Sequence, residues 1–551
     1  MKRKYFFSIY FLLTLNLKGQ TTNPIKIPIK ISGTFGEIRN THFHSGVDIK
    51  TQGKQGINIF TVKDGIVKRI KVSKGSFGKA IYIEHNDGTT SVYAHLKKFS
   101  DKIEKFVKEI QYKNKSYEIE VYPSTDIFVL NAGTLIGFSG NTGSSTGPHL
   151  HFEIRDSKTN YPINPLKILN NVIDTLRPKI NDIYLYNVNN DGSYDLLKKL
   201  KIKKVESDLI ITDTIQNIGR LGIGINYFDK QDRSNSKNGA YSISLKINNK
   251  LIYNYKMDTI SLFDKRYLQL FVDYKNWYIN KNKIQKLFTH PKSKYTFIKK
   301  KFNGIINVEK NNVYNGLLEI EDFNGNKIRV KLIFEGKKID SLKKYQNNHN
   351  VKSKYEYSFK SKNVKIEIKK NTFFDDINIP FDYSGDTLDL GKNLYPIDKK
   401  IKIIFDVKHL DSIKKQKSFI SFINKKNKPE FIKTKKQNNI WSIETKKLGK
   451  YTLSFDTISP SINPLNFRNN QSIRKKKKLI LKVFDDLSGI KKINGFINDK
   501  WVLFEHETKN NTISFDLSDL KINESDYRLK IIVSDYLENE KEYNAKIFRN
   551  K

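Results

Sequence analysis

Two stretches about a hundred residues apart, His42 to Asp48 (HFHSGVD) and His149 to His151 (HLH), carry the side chains in this sequence best suited to chemistry. Together they offer imidazoles and a carboxylate in spacings that suit a divalent metal. Histidine is the commonest neutral metal ligand and the usual proton carrier near pH 7, so its placement is informative. Of the ten histidines, six (42, 44, 85, 95, 149 and 151) fall within the first 151 residues, while His290, His349, His409 and His506 stand alone. The chemistry is therefore N-terminal.

His44 and Asp48 are four residues apart, and His149 and His151 alternate around Leu150 in the apolar segment HLHFEI. Residues i and i+2 of a strand share a face, so both imidazoles point into one groove about 7 Å apart. One binds metal while its neighbour faces substrate. A catalytic zinc takes three protein ligands and leaves a fourth position to water, whose pKa it lowers. Two histidines and one aspartate satisfy that count. Hydrolysis also needs a proton acceptor and a group to steady an oxyanion, and the spare imidazole and His95 are the candidates. His42 is an alternative ligand, and otherwise a solvent-exposed or supporting hydrogen-bonding residue. His85 precedes an Asn-Asp-Gly turn signal and reads as a strand-end surface histidine. The chain has no cysteine, which excludes thiolate ligands, a cysteine nucleophile, disulfides and a lipid-anchored cysteine.

HxxxD around His44 and Asp48, YAH ending at His95, and GNTGSSTGPHLHFEI from Gly140 to Ile154 resemble the LytM and lysostaphin-type zinc endopeptidases of bacterial cell walls. GTFGEIR (Gly33 to Arg39), KDGIVKRI (Lys63 to Ile70) and SFGKAIYIEH (Ser76 to His85) accompany them, so the resemblance covers roughly residues 28 to 170. It implies that His44, Asp48 and His151 bind one Zn2+ per chain, that His149 acts as general base, and that His95 stabilises the transition state. No position of that set is missing, which favours catalysis over the regulatory roles of relatives that have lost ligands.

Between His95 and the HLH strand, an insertion spans 97–128. Ser100 is placed to cap a helix in which Ile103, Phe106, Val107 and Ile110 share one buried face. Such a helix shapes the substrate cleft, docks against the C-terminal region, or only thickens the domain. Glycines 137, 140, 143 and 147 punctuate the approach to the HLH strand with tight turns.

The N-terminus, with Lys2, Arg3 and Lys4 before an apolar run from Tyr5 to Leu17, reads as an export signal. That run is short for a membrane span of about 20 residues, so the expectation is export to the periplasm or cell envelope and no integral membrane segment after cleavage. The net charge of +43 is spread along the chain with no nucleic-acid motif, so no nucleic-acid partner is expected. Attraction to anionic wall polymers or membrane surfaces is the softer reading of that charge.

Beyond about residue 172, short alternating runs such as Tyr241 to Ile247, Ile328 to Phe334, Lys365 to Ile368, Lys400 to Val407 and Leu479 to Val483 suit strands. A loose repeat links DTLRPKI (Asp174 to Ile180) with DTISPSI (Asp456 to Ile462), and IEDFNGNKIRV (Ile320 to Val330) with VSDYLENEKEY (Val533 to Tyr543). Asp375 and Asp376, like Asp485 and Asp486, read as turn or edge acids, with calcium as the alternative.

The expected fold class is mainly β: an N-terminal LytM-type antiparallel β-sheet peptidase domain with one inserted helix, followed by immunoglobulin-like β-sandwich modules. The expected divisions are a signal peptide at 1–20, the peptidase domain at 24–171, a β-sandwich with insertions at 172–345, a β-rich module at 350–455 and an immunoglobulin-like sandwich at 456–551. The expected function is an exported zinc endopeptidase cutting peptide cross-links of peptidoglycan. The D-Ala to diaminopimelate bond is favoured, because no wall-binding module is recognised and the signal and β-rich tail are similar to those of Bacteroidetes homologues. The alternative is a non-catalytic or latent envelope scaffold or adhesion protein that holds an envelope protein partner through its C-terminal β modules. A secreted protease directed at foreign protein or walls is a third reading.

Overall fold

A computed structural model describes residues 21–232, 234–299, 303–337, 350–520 and 525–548. The proposed signal at 1–20 and His349 lie outside the described residues. Among the described residues, no helix is long and apolar enough to cross a membrane.

The N-terminal unit is built by two-residue alternation. Its main strands are β1 (Ile31–Gly33), β2 (Val47–Lys50), β3 (Gly65–Val72), β4 (Lys79–His85), β5 (Thr89–Leu96), β6 (Ile119–Val121) and β7 (His149–Asp156). They form an antiparallel sheet in the order β1-β2-β7-β5-β4-β3-β6. Leu150, Phe152 and Ile154 of β7, with Val47 and Ile49 of β2, enter the core. The intervening His149, His151, Glu153 and Asp48 therefore share the opposite face. Asn58–Phe60, Leu135–Phe138 and Lys98–Phe99 pair in a second, small sheet.

The insertion forms helix α1 (Asp101–Asn114), with Ile103 and Val107 buried and Phe106 and Ile110 packed on the core, the face expected from their spacing. Ser100 occupies the N-cap position but makes no side-chain cap bond. Instead the Glu104 carboxylate accepts the Phe99 N–H at 2.9 Å. The polar side of α1 docks against the C-terminal end of the chain. Lys108 pairs with Asp519 at 2.5 Å, and Tyr112 meets Trp501 edge-on at 5.6 Å. Beside them, Lys79 of β4 pairs with Glu505 at 2.6 Å. One expectation is corrected: His85 does end a strand, but it is buried, bonded to the Asp64 carbonyl at 2.8 Å and the Ser91 hydroxyl at 2.7 Å.

The rest of the chain is strands. Each run expected from alternation contains one, including Ser242–Ile247, Lys327–Glu335, Val364–Ile368, Ile401–Asp406 and Lys478–Phe484. A single apolar core runs from Ile25 to Phe334, so the first β-rich part of the tail packs continuously with the N-terminal unit. Separate cores gather residues from Val351 to Tyr451 and from Ile462 to Ile547, each between two sheets.

Candidate metal centre and groove

Strand register assembles the site. Asp48 on β2 lies opposite His151 on β7 and opposite Gly33 on β1, while His151 lies opposite Ala94, which precedes His95. Residues about a hundred positions apart thus become neighbours. His44, in the turn before β2, completes the group, and the ligand atoms of His44, Asp48 and His151 converge. His44 Nε2 lies 3.1 Å from His151 Nδ1 and 3.1 Å from Asp48 Oδ1, which is itself 2.9 Å from His151 Nδ1. Ligands about 2.0–2.1 Å from a tetrahedral zinc sit about 3.3 Å from one another, so this triangle fits the metal after opening by a few tenths of an ångström.

The outer hydrogen bonds decide what the inner atoms are. His44 Nδ1–H donates to the Thr34 carbonyl at 2.9 Å, and a carbonyl can only accept, so Nε2 faces inward with its lone pair. His151 Nε2–H donates to the Glu153 carboxylate at 2.9 Å, which turns Nδ1 inward. Asp48 Oδ1 is a third acceptor, held while Arg39 donates to Oδ2 at 2.9 Å. Three lone pairs meeting at about 3 Å repel unless a cation lies among them. A single proton on His151 can bond Asp48 but leaves His44 unserved. A metal serves all three.

The electrostatics agree. Burial opposes the charge on Asp48, yet the surrounding His44, His149 and His151 hold its carboxyl well below the usual range. Burial also opposes protonation of His151, but the bonds to Asp48 and Glu153 outweigh it and lift that imidazole to about 9. Without metal, a proton therefore occupies part of the site.

Two further imidazoles follow the same rule. His149 Nδ1–H donates to the Gly147 carbonyl at 2.9 Å, which leaves Nε2 bare, 3.4 Å from Asp48 Oδ1. His95 Nδ1–H donates to the Thr142 carbonyl at 2.8 Å, and its ring centre lies 4.9 Å from that of His149. Burial, then His151 and His149, push His95 down to about 3, so it rests neutral. His95 also holds a left-handed backbone, φ 61°, a conformation costly for a non-glycine residue and concentrated at functional sites. His42 is exposed at the rim, bonded to its neighbour Thr41.

These residues line an open groove of about 870 Å³. Its far wall is made by the tail, through Ile260, Ser261, Leu262 and Lys265. Phe43, beside His44, inserts into a tail aromatic cluster, 5.3 Å from Phe271 and 5.1 Å from Phe297. The metal-side turn is thus anchored on the β-rich region.

Residues 42–112 and 128–165 match Peptidase family M23. The match falls within the N-terminal unit, which resembles Peptidase family M23. A separate match, to a Zu5-like domain, covers residues 348–456. The DD-carboxypeptidase/endopeptidase Mpg of Neisseria meningitidis serogroup B is 31% identical over 144 residues, 25% of this chain and 27% of that protein. An uncharacterized metalloprotease of Haemophilus influenzae is 29% identical over 160 residues, 27% of each chain. Among solved structures, the catalytic domain of lysostaphin from Staphylococcus simulans is 26% identical, covering 25% of this chain and 90% of that one, with a TM-score of 0.19. The chain spans about a quarter of the length of the curated relatives it matches.

Sequence reasoning missed the supports of this M23-like site. Glu153 is fully buried and bonds His151, Arg155 and Ser45. Its signal was present, because position i+2 after His151 shares the site face. The roles of Arg39, Thr34, Thr142 and the tail wall depend on long-range packing and leave no local signature.

Proposed function

We propose that this chain is an exported zinc-dependent endopeptidase that hydrolyses peptide cross-links of peptidoglycan, with His44, Asp48 and His151 as metal ligands. The observation that carries this reading is the meeting of three inward lone pairs, each fixed by an outer hydrogen bond, on the floor of an open groove. Zinc held by these residues supplies Lewis acidity towards a peptide carbonyl and towards water.

The remaining steps belong to the protein. His149 presents a bare Nε2 to the groove and takes a proton during attack, its ring fixed by the Gly147 carbonyl. His95 faces it and steadies the carbonyl oxygen as a donor once its Nε2 takes a proton from solvent in the open groove, a state favoured only as negative charge develops beside it. The groove exposes Lys265 on its tail wall, which suits a peptide bearing free carboxylates. A D-Ala to diaminopimelate cross-link is such a peptide, and the name of the Neisseria relative points to the same class of bond. The β-rich tail is read as modules at 172–345, 350–455 and 456–551, the last immunoglobulin-like, that position the enzyme or hold an envelope partner.

Incubation of the protein with purified sacculi, followed by mass spectrometry of released muropeptides, tests the proposal. New free diaminopimelate amines are expected with wild type and not with His149→Ala or chelated protein. Unchanged muropeptides under all conditions would favour a scaffold instead.

A further inference from the structure

The loose sequence repeat of the tail becomes an atomic repeat in the structure. In the first copy, Asp174, Asp229 and Asp322 bring carboxylate oxygens within 4.8 Å of one another, and in the second Asp456, Asp485 and Asp535 do the same. The members occupy equivalent places. Asp174 and Asp456 open the DTxxP segments, and their Oδ1 atoms accept from the backbone N–H two residues on, at Leu176 and Ile458. Asp229 and Asp485 directly follow the strands Gly219–Phe228 and Lys478–Phe484. Asp322 and Asp535 each accept two bonds from the asparagine four residues on, Asn326 and Asn539. Each of those asparagine amides also donates to the backbone carbonyl of the first aspartate, Asp174 or Asp456, at 3.0 Å.

Among the described residues, these clusters lack a positive partner. The chain carries 100 Lys and Arg against 57 Asp and Glu. Yet among the described residues, no Lys, Arg or His pairs with any of the six aspartates. Oxygens that should accept do not. Asp229 Oδ1 and Asn238 Oδ1 belong to residues only 3% and 4% exposed, and neither has a hydrogen-bond donor. Asp229 and Asn238 are joined backbone to backbone at 2.9 and 2.8 Å, and both line a cavity of about 30 Å³ shared with Asp174 and Asp322. That is room for one atom of water or ion size. The second cluster repeats the defect, with Asp485 Oδ1 and the buried Ser488 hydroxyl both unpartnered beside Asp456, which accepts the Ser488 N–H at 3.1 Å. An unsatisfied buried oxygen costs about 1–3 kcal/mol, so its recurrence at one position of a repeat is informative.

We propose that each copy of the repeat binds one calcium ion, the first through Asp174, Asp229 and Asp322 with the Asn238 side-chain oxygen, the second through Asp456, Asp485 and Asp535. An all-oxygen set with several carboxylates selects a hard cation, and calcium's bonds of about 2.3–2.6 Å span the spread of these atoms better than magnesium's shorter octahedron. Burial pushes Asp229 up to about 8 and Asp174 up to about 7 in the metal-free chain, a direction a bound cation reverses. Each ion lies where the chain enters a new β unit. The first shares its cavity with Thr34 and Asn164 of the N-terminal unit, and Gly239, next to Asn238, donates to the Thr34 hydroxyl at 2.9 Å. Thr34 in turn orients His44. The second lies where Asp456 N–H donates to Lys417 O and the rings of Phe431 and Tyr536 stack at 5.2 Å. The ions are therefore clamps that fix successive units to one another.

Equilibrium dialysis of the wild-type protein against calcium chloride at about 1 mM, the range of extracellular calcium modules, with equal zinc on both sides, tests this. Two bound calcium ions per chain are expected. Asp229→Asn and Asp485→Asn each lose one, and the double variant loses both while keeping its zinc. Less than one calcium per wild-type chain overturns the proposal whether or not the variants fold, and so does unchanged binding in a folded double variant. Because the readout is bound calcium, its failure is distinct from any failure of the peptidase reading.

Discussion

Replacing Glu153 with glutamine keeps the side chain's shape and removes its charge, at a residue with no exposure to solvent. Glu153 is not itself one of the proposed ligands but holds one of them. Its Oε1 accepts the His151 Nε2–H at 2.9 Å, and its Oε2 accepts Arg155 Nε at 2.5 Å. A hydrogen bond to a charged group contributes about 1.5–3 kcal/mol and a neutral one about 0.5–1.5, so the change weakens the hold on His151 by about 1.4 kcal/mol. That corresponds to about a tenfold loss of zinc affinity, within the span known for partners of metal-bound histidines. The same substitution leaves Arg155 buried without its carboxylate. Breaking a buried pair costs about 3–5 kcal/mol, and the lower end applies here because Arg155 Nη1 keeps a bond to Asn160 at 3.1 Å. Zinc competition against a chromophoric chelator, with thermal unfolding measured in parallel, separates the two effects. A protein destabilised as expected but with zinc affinity changed less than about twofold would show that Glu153 serves Arg155 alone, and would refute the argument from outer hydrogen bonds.

Phe43→Ala removes a buried ring from the tail cluster formed with Phe271 and Phe297, and is expected to cost about 3–5 kcal/mol in chemical denaturation. It should also weaken zinc binding, since His44 is the next residue. In the metal-free protein the proton on His151 titrates at about 9, above the usual imidazole value, so it competes with zinc at every pH below that and releases the site as pH rises. Zinc affinity measured by competition should therefore fall about tenfold for each pH unit below 9 until other ligands protonate. Glu505 is held down to about 2 despite its burial, by Lys79 and Lys478, so its contribution is complete above the usual carboxyl value of 4.5 and is lost as pH falls towards 2. Small-angle scattering should show the last β unit leaving α1 over that window, and Glu505→Gln should weaken docking at neutral pH and reduce its pH dependence to that of the remaining Lys108–Asp519 pair.

The parts of this architecture that local pattern controls were readable in the sequence. Alternation in HLHFEI placed His149 and His151 on one face, and the apolar spacing of Ile103, Phe106, Val107 and Ile110 gave the helix its buried side. The β character of the tail followed from the same two-residue period. What depended on distant packing was hidden. The turn signal after His85 correctly ended the strand, but nothing nearby disclosed that the Asp64 carbonyl and Ser91 would bury the ring. The docking of α1, the tail wall at Ile260 to Leu262, and the clamp of Arg39 on Asp48 likewise join segments far apart in the chain. The aspartate clusters were half visible. The repeat aligned Asp174 with Asp456 and Asp322 with Asp535, whereas Asp229 and Asp485 join them through a likeness of only a few residues, INYFD against LKVFD at the ends of two strands, which is too short to single out by itself.

Zinc content is the most direct test of the central claim. The wild-type chain, stripped of metal and dialysed against zinc at neutral pH, is expected to retain one zinc per chain by emission spectrometry, and Asp48→Ala to retain none. A folded wild-type protein that returns from dialysis without zinc would contradict the account, because the three inward lone pairs would then need another cation.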